Sequence, residues 1–530
     1  MLMGVMLMGV ILLTACGGGD SGPPMDPAVV PVTTGLTKVS AASSPYTAGC
    51  DGNATPGTSY LNAEVEPSVA INPANAQNLF GTWQQDRWSN GGAHGLAGAV
   101  SFDGGATWSP RFTTFSRCSG GSFGNAGDYE RSTDPWVSFS PDGTAYWMAL
   151  SFSDTSPSST NAMRVARSTD GGNSWATPIT LLLDGPAFFN DKNSLTADPL
   201  DSHYVYAVWD RLDSVANTGP TYFSRTTDGG ASWEAARAIR DPGVALQTIG
   251  NLIVVLPDGT LVNVFAQLDQ NSGAAEIDVI RSTDHGLNWS APVFVADLLS
   301  RGVIDPENGN VIRDGGILPS IAVAPDGKLY LAWQDARFSS GARDGIALSS
   351  STDGGLTWST PVQVNGAPAV QAFTPTVAVD AGGFVGVSYF DFRENGAGDN
   401  TLPTAAWLAV SADGTQWSER RTGLFDEDLA PSAGGLFLGD YMGLLGIGSN
   451  FRMFYVQANA TTANRTDVYT VLLPSVAPPS SAKSATRGYR ATPAEPYVMS
   501  REWRALNAER VHRERHHFAN RATPIQAADD

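Results

Sequence analysis

Positive charge is scarce in this chain of 530 residues: 32 Lys and Arg stand against 52 Asp and Glu, a net charge of -20. That deficit argues against nucleic acid as a partner and against electrostatic docking on anionic lipid. It is also uneven. From Ser475 onward there are nine Lys and Arg and six Asp and Glu, which leaves 23 against 46 in the body. Cysteine is almost absent, at three residues, and histidine stops at six. No CxxC or HExxH spacing occurs, so neither a metal nor another cofactor is expected. His512, His516 and His517 cluster, but on a stretch that reads as a solvated helical tail. Charged residues make up only 16% of the chain, while Gly reaches 57 and Trp 14. Such a balance suits many short strands joined by tight turns.

One turn recurs. The stretch Ser351-Thr-Asp353-Gly-Gly355-Leu-Thr357-Trp358, written S-x-D-x-G-x-T-W, returns at 101–108, 168–175, 226–233 and 282–289, and one residue shorter at 411–417. Its aspartates are Asp103, Asp170, Asp228, Asp284, Asp353 and Asp413, at intervals of 67, 58, 56, 69 and 60 residues. A D-G-G between two alternating runs is a tight hairpin turn, with Gly where the backbone needs positive φ. The Asp and Ser oxygens can satisfy turn amides, and the Trp can cover the turn from below. Six copies in register define a repeat architecture.

Two further strands precede each turn. The innermost is small and apolar, at 68–71, 136–139, 194–197, 251–254, 320–323 and 376–379. A heavier strand follows at 79–83, 145–150, 204–209, 261–265, 329–333 and 384–390. The third strand runs into the repeated turn and the fourth leaves it. Four antiparallel strands of graded size, repeated at this spacing, are the blades of a propeller.

The repeated turns are Asp boxes, and over about residues 61–474 the chain resembles the sialidase-like, BNR-repeat β-propellers. The resemblance implies an all-β fold of four-stranded antiparallel blades. A further unit without a box, at 436–447, 451–456 and 467–473, favours seven blades, its fourth strand coming from 28–39. Six blades, as in sialidases proper, are the alternative.

Asp boxes in this family lie away from the active site, so chemistry is expected on the opposite face, where the longer loops carry charge pairs. The family patterns W-x-D-x-R, D-K before an inner strand and G-D-Y-x-G-L are matched at Trp333 to Arg337, at Asp191-Lys192 and at Gly439-Asp440-Tyr441. The resemblance implies an exo-glycosidase of glycoconjugates, with three arginines holding a sugar carboxylate. Arg211, Arg337 and Arg393 are the clamp candidates, with Arg87, Arg131 and Lys192 on the same face. Tyr441 with Asp440, or Tyr129 with Glu130, is the implied nucleophile pair, and Asp134 or Asp191 the acid. The Phe/Tyr-Arg-Ile-Pro motif of sialidases is absent before the first box. The alternative is a non-catalytic propeller that binds glycan or protein through this face, its recurring Asp/Arg pairs being structural salt bridges.

Residues 1–15 are apolar and end in Leu13-Thr-Ala-Cys16, a hydrophobic run too short to span a bilayer that meets a small-residue cleavage site. With Cys16 as first mature residue, this resembles a bacterial lipoprotein lipobox, although no Lys or Arg precedes it. It implies an exported, lipid-anchored monomer in the bacterial cell envelope, touching membrane through the anchor alone. Gly17 after the Cys permits transfer to an outer membrane or surface; a cleaved, unlipidated signal is the alternative. Export makes a Cys50–Cys118 disulfide the expected state, two buried thiols being the other. The resulting organisation is a signal at 1–16, a tether and candidate ring-closing strand at 17–60, the propeller at 61–474, and a linker with a disordered or partly helical tail at 475–530.

Overall fold

The computed structural model describes residues 35–52, 57–153, 160–396, 398, 400–476 and 487–493. Cys16, the tether at 17–24, most of 28–39 and the three tail histidines lie outside the described residues. What is described is all-β, with four single-turn 3-10 helices and no longer helix among the described residues.

The strands pair into successive four-stranded antiparallel sheets in chain order. The first holds Glu64–Ile71, Leu79–Arg87, Ala93–Ser101 and Ser109–Arg111. The second runs from Arg131–Phe139 to Ile179–Asp184, and its first strand shares one strand pair, Ala93 with Ser132, with the first sheet. The third begins at Phe188–Ala197, the fourth at Leu246–Val255, the fifth at Ser320–Val323 and the sixth at Ala372–Val379. The last sheet comprises Gly443–Ile447, Asn450–Thr461 and Asn464–Pro474, and Thr37–Lys38 pairs with its outer strand. First and last sheets are in contact, since Thr466 Oγ1 donates to Glu64 O at 2.8 Å.

Apolar side chains on the two faces of each middle strand pack against the neighbouring sheets. One cluster joins Met148 and Leu150 to Leu195 and Trp209, and another joins Val262 and Ile277 to Leu331 and Trp333. Trp147, Trp209 and Trp333 are fully buried on the second strands of three sheets. Removing such a ring should cost about 3–5 kcal/mol. The core is therefore the set of seams between sheets. The inner strands are laced together by hydroxyls: Ser194 Oγ donates to Asn251 O, Thr196 Oγ1 to Ile253 O and Thr376 Oγ1 to Met442 O, at 2.7 to 3.0 Å.

The repeated turns form as their residues require. Ser351 Oγ donates to Asp353 Oδ1 at 2.8 Å, and that oxygen accepts from Thr357 N at 2.9 Å while Gly355 N donates to Ser351 Oγ. The same bonds recur around Asp103, Asp170, Asp228 and Asp284, and in shortened form around Asp413. Several turns also lean on the preceding sheet: Asn78 Nδ2 reaches Gly171 O and Tyr146 Oη reaches Gly229 O, both at 2.9 Å. Asp103 leans on the last sheet, where Arg452 Nη2 donates to Gly104 O at 2.5 Å.

Part of the tail departs from a linker or helix. Arg487–Arg490 pairs antiparallel with Gln416–Asp426, and Thr492–Pro493 pairs with Val362–Gln363. Both partners are outer strands, whose unpaired N–H and C=O groups accept another strand regardless of side-chain pattern. Cys50 and Cys118 are joined as a disulfide, which fastens the N-terminal segment to the first sheet.

Candidate functional site

The inner strands carry a bulge at one end, and the bulge decides which side chains reach the centre. Their register shifts between Val65 and Ser68, Thr133 and Trp136, Asp191 and Ser194, Ile249 and Leu252, and Phe373 and Thr376. At each, one residue has positive φ: Glu66 (53°), Asp134 (52°), Lys192 (45°), Gly250 (70°) and Thr374 (50°). Only the glycine takes this conformation freely; each of the others stores about 1–3 kcal/mol of strain, the kind that clusters at functional sites.

Three of the strained side chains meet, and the last sheet supplies a fourth. Lys192 Nζ lies 3.1 Å from Glu66 Oε1, 3.5 Å from Asp134 Oδ1 and 2.6 Å from Asp440 Oδ2. Arg313 grips Asp440 with both ends of its fork, Nε to Oδ1 at 2.9 Å and Nη2 to Oδ2 at 2.5 Å. Gln84 Nε2 donates to Glu66 Oε2, and Arg87 Nη1 donates to Gln84 Oε1 at 2.6 Å. The guanidiniums of Arg87 and Arg313 both lie over Phe437, at 4.8 and 4.3 Å.

Burial and charge then divide the carboxyls. Burial pushes Glu66 up to about 7 from 4.5, Lys192 opposing it and Asp440 adding to it. Burial raises Asp134 to about 6, against Lys192 and with Asp191. Burial acts the same way on Asp440, but Arg313 and Lys192 outweigh it and hold that carboxyl well below the usual range. For Lys192, burial favours the neutral amine, yet Asp134, Asp440 and Glu66 prevail and keep it charged. Two carboxyls whose titration is raised toward neutrality thus share one ammonium with a carboxylate that stays ionised.

Tyr441 sits at the edge of this cluster. Its ring meets Trp136 edge to face at 5.5 Å, and Lys192 Nζ lies 5.6 Å from its centroid. The ring is partly exposed, whereas the hydroxyl is shut off from solvent and has no hydrogen-bond partner among the described residues. Burial, then Glu66 and Asp134, raise its pKa well above 10. Asp191 flanks the cluster, its Oδ1 accepting from Lys192 N at 3.0 Å.

The other sequence candidates lie elsewhere. Arg211 is held by both oxygens of Asp184 at 2.7 Å, Arg337 by Asp335 at 2.7 Å, and Arg393 by Asp391 and Glu419. The structure does not bring these three guanidiniums onto one anion site. The W-x-D-x-R pattern has a local cause: Asp335 Oδ2 accepts from Trp333 Nε1 at 2.7 Å as well as from Arg337, so the motif ties off its own strand end. Arg131 is buried over Trp88 and donates to Asn90 and Gly91. Tyr129 lies under Arg164, and Glu130 is 3.8 Å from Arg117, which also binds Asp128.

Sequence reasoning missed Glu66, Arg313 and Gln84. A signal for Glu66 existed: Glu66-Pro-Ser-Val occupies the same register as Asp134-Pro-Trp-Val. Arg313 had none, because it arrives on a small extra sheet of Val303–Ile304, Val311–Arg313 and Leu436–Phe437, whose parallel pairing sets Arg313 beside Phe437.

No protein-family model matches the chain, and no curated protein matches it. Among solved structures, a protein of unknown function from Dyadobacter fermentans aligns at 14% identity and TM-score 0.44 over 83% of this chain and 99% of its own. The α-L-arabinofuranosidase Arb93A of Fusarium graminearum aligns at 12% and 0.43, over 83% and 97%. The Hadza microbial sialidase Hz136 aligns at 16% and 0.39, over 79% and 68%. Likeness at this level carries no argument about activity; the case rests on the cluster itself.

Proposed function

We propose that this chain is a glycoside hydrolase built on a closed ring of seven blades, working from the cluster of Glu66, Asp134, Lys192, Asp440 and Tyr441. One observation carries the reading: environments push the protonation of neighbouring carboxyls apart, Asp134 and Glu66 up and Asp440 down. Separated pairs of this kind assign acid and base in glycosidic cleavage. Asp134 is the general acid. Tyr441 Oη attacks the anomeric carbon and passes its proton to Glu66 in the ionised form of that carboxyl, the Lys192–Asp440 pair holding the local charge. The Oη–carbon bond forms as the glycosidic bond breaks, and the leaving oxygen takes the proton of Asp134. Water then reverses the sequence, freeing Tyr441. Partly exposed Trp136 and Tyr441 form the face on which a sugar would rest. The substrate is a glycan presented outside the cell, to a monomer carried on a lipid at Cys16. Release of phenol from a panel of aryl glycosides, a sialoside included, tests the reading; no turnover by folded protein, or full turnover by Asp134→Asn, would remove it.

A second reading keeps the fold and drops the chemistry: a propeller that binds glycan or protein without turnover. The separate pairing of Arg211, Arg337 and Arg393 favours it. Saturable glycan binding without hydrolysis would decide for it.

A further inference from the structure

The disulfide has a third neighbour. A ring nitrogen of His94 and the sulfurs of Cys50 and Cys118 all lie within 4.8 Å of one another. Both cysteines are half-buried and His94 is buried, so a small reductant can reach the sulfurs while the imidazole is fixed. His94 Nδ1 faces Asp86 Oδ2 at 3.1 Å. Asp86 is itself held by Asn62 N at 2.9 Å, Ser44 Oγ at 2.5 Å and Gln85 Nε2 at 3.1 Å. Nε2 is left to look the other way, 3.5 Å from Asp51 Oδ2 and 3.4 Å from Ser59 Oγ. A carboxylate that fixes one imidazole nitrogen and leaves the other as a donor is the arrangement that orients metal-binding histidines.

We propose that reduction of the Cys50–Cys118 disulfide converts this corner into a zinc site, with Cys50, Cys118 and His94 as ligands and water in the fourth position. Two thiolates and an imidazole, completed by a water, form a tetrahedral donor set suited to zinc. The exchange balances. A phosphine reductant becomes its oxide, water supplying the oxygen and the two protons that leave both cysteines as thiols. Zinc then displaces those protons as it binds. The N-terminal segment remains fastened to the first sheet in either redox state, by a covalent bond or through a metal. Sequence spacing could not reveal such a site, because its ligands come from three separate stretches that only the fold unites.

The test uses the full chain, reduced with a water-soluble phosphine, and Co2+ as the probe. The reduced protein should take up one equivalent of Co2+ with a thiolate charge-transfer band, and Zn2+ should displace it; the oxidised protein should show no band. Asp86→Asn, which alters no ligand, should weaken binding by about 10- to 100-fold. Zn2+ should raise the melting temperature of reduced wild type and leave that of Cys50→Ser unmoved. The proposal is overturned if the reduced chain gives no thiolate band, or if the double variant Cys50→Ser, Cys118→Ser binds Co2+ as tightly. It is overturned too if the reduced chain loses its β-sheet signal and zinc does not restore it.

Discussion

Lys192 Nζ lies 2.6 Å from Asp440 Oδ2 across 248 residues of sequence, which fastens the third sheet to the loop that enters the last. Glu66 and Asp134 bring the first and second sheets to the same ammonium. Replacing Lys192 by Met should take the ion-pair partner from Glu66 and Asp134, while Asp440 keeps Arg313. Breaking a buried pair from one side costs about 3–5 kcal/mol. The loss should be greatest at alkaline pH and smaller near pH 5, where Glu66 and Asp134 carry protons. Urea unfolding at the two pH values checks this; equal stability to wild type at both would show that the cluster does not hold the sheets together.

Wild-type stability should itself have an acidic maximum. Glu66 at about 7, Asp134 at about 6 and Asp391 at about 6 all stand above their usual 4.5 or 3.8. A carboxyl raised on folding contributes stability that is full below its unfolded pKa and lost as pH rises through the folded one. Asp228, Asp284 and Asp353 are instead lowered to about 2 by bonds from their turn. Their contribution is present above 3.8 and lost as pH falls toward 2, and solvent screening keeps it small. Melting temperature should therefore peak between about pH 4 and 6 and fall on both sides. A Glu66→Gln, Asp134→Asn variant should show a flatter alkaline limb.

The sheets were legible because each repeated turn announces a hairpin and each inner strand a small apolar run. The bulges at Glu66, Asp134 and Lys192 were not, since a register shift leaves no mark on local pattern. Asp191-Lys192 and Asp440-Tyr441 stood out because they do not recur, and the fold brings the two pairs together. The partners of Arg211, Arg337 and Arg393 were not legible in the sequence. W-x-D-x-R at 333–337 serves a local tie, Asp335 accepting from both Trp333 and Arg337. Arg313 was invisible because a parallel pairing with 436–437, across more than a hundred residues, delivers it.

The repeated turns should be structural alone. Asp353 accepts from Leu356 N and Thr357 N and from the hydroxyls of Ser351 and Thr357. Asp353→Ala should lower stability by about 1–2 kcal/mol, the cost of lost capping bonds. Turnover or ligand binding by the folded variant should match wild type. Loss of activity at full stability would put Asp353 in the site.

The proposed anchor at Cys16 has a simple fractionation test. Cys16→Ser should move the protein from the membrane to the soluble fraction, with an unchanged melting temperature. A variant that stays with the membrane would mean that another segment holds it there.

Tyr441 separates catalysis from binding. Its hydroxyl is buried without a hydrogen-bond partner among the described residues, beside Trp136 and the Lys192 ammonium. Removing an unpaired buried hydroxyl relieves a desolvation cost, so Tyr441→Phe should keep the melting temperature or raise it slightly. If Tyr441 Oη is the nucleophile, the same change should cut turnover by about a hundredfold or more with little effect on KM. If the protein only binds, affinity should fall by no more than about 1–2 kcal/mol, one hydrogen bond made to the ligand. Steady-state kinetics and calorimetric titration of the one variant therefore choose between the readings. Unchanged turnover would exclude Tyr441 from the chemistry and leave it as the aromatic partner of Trp136.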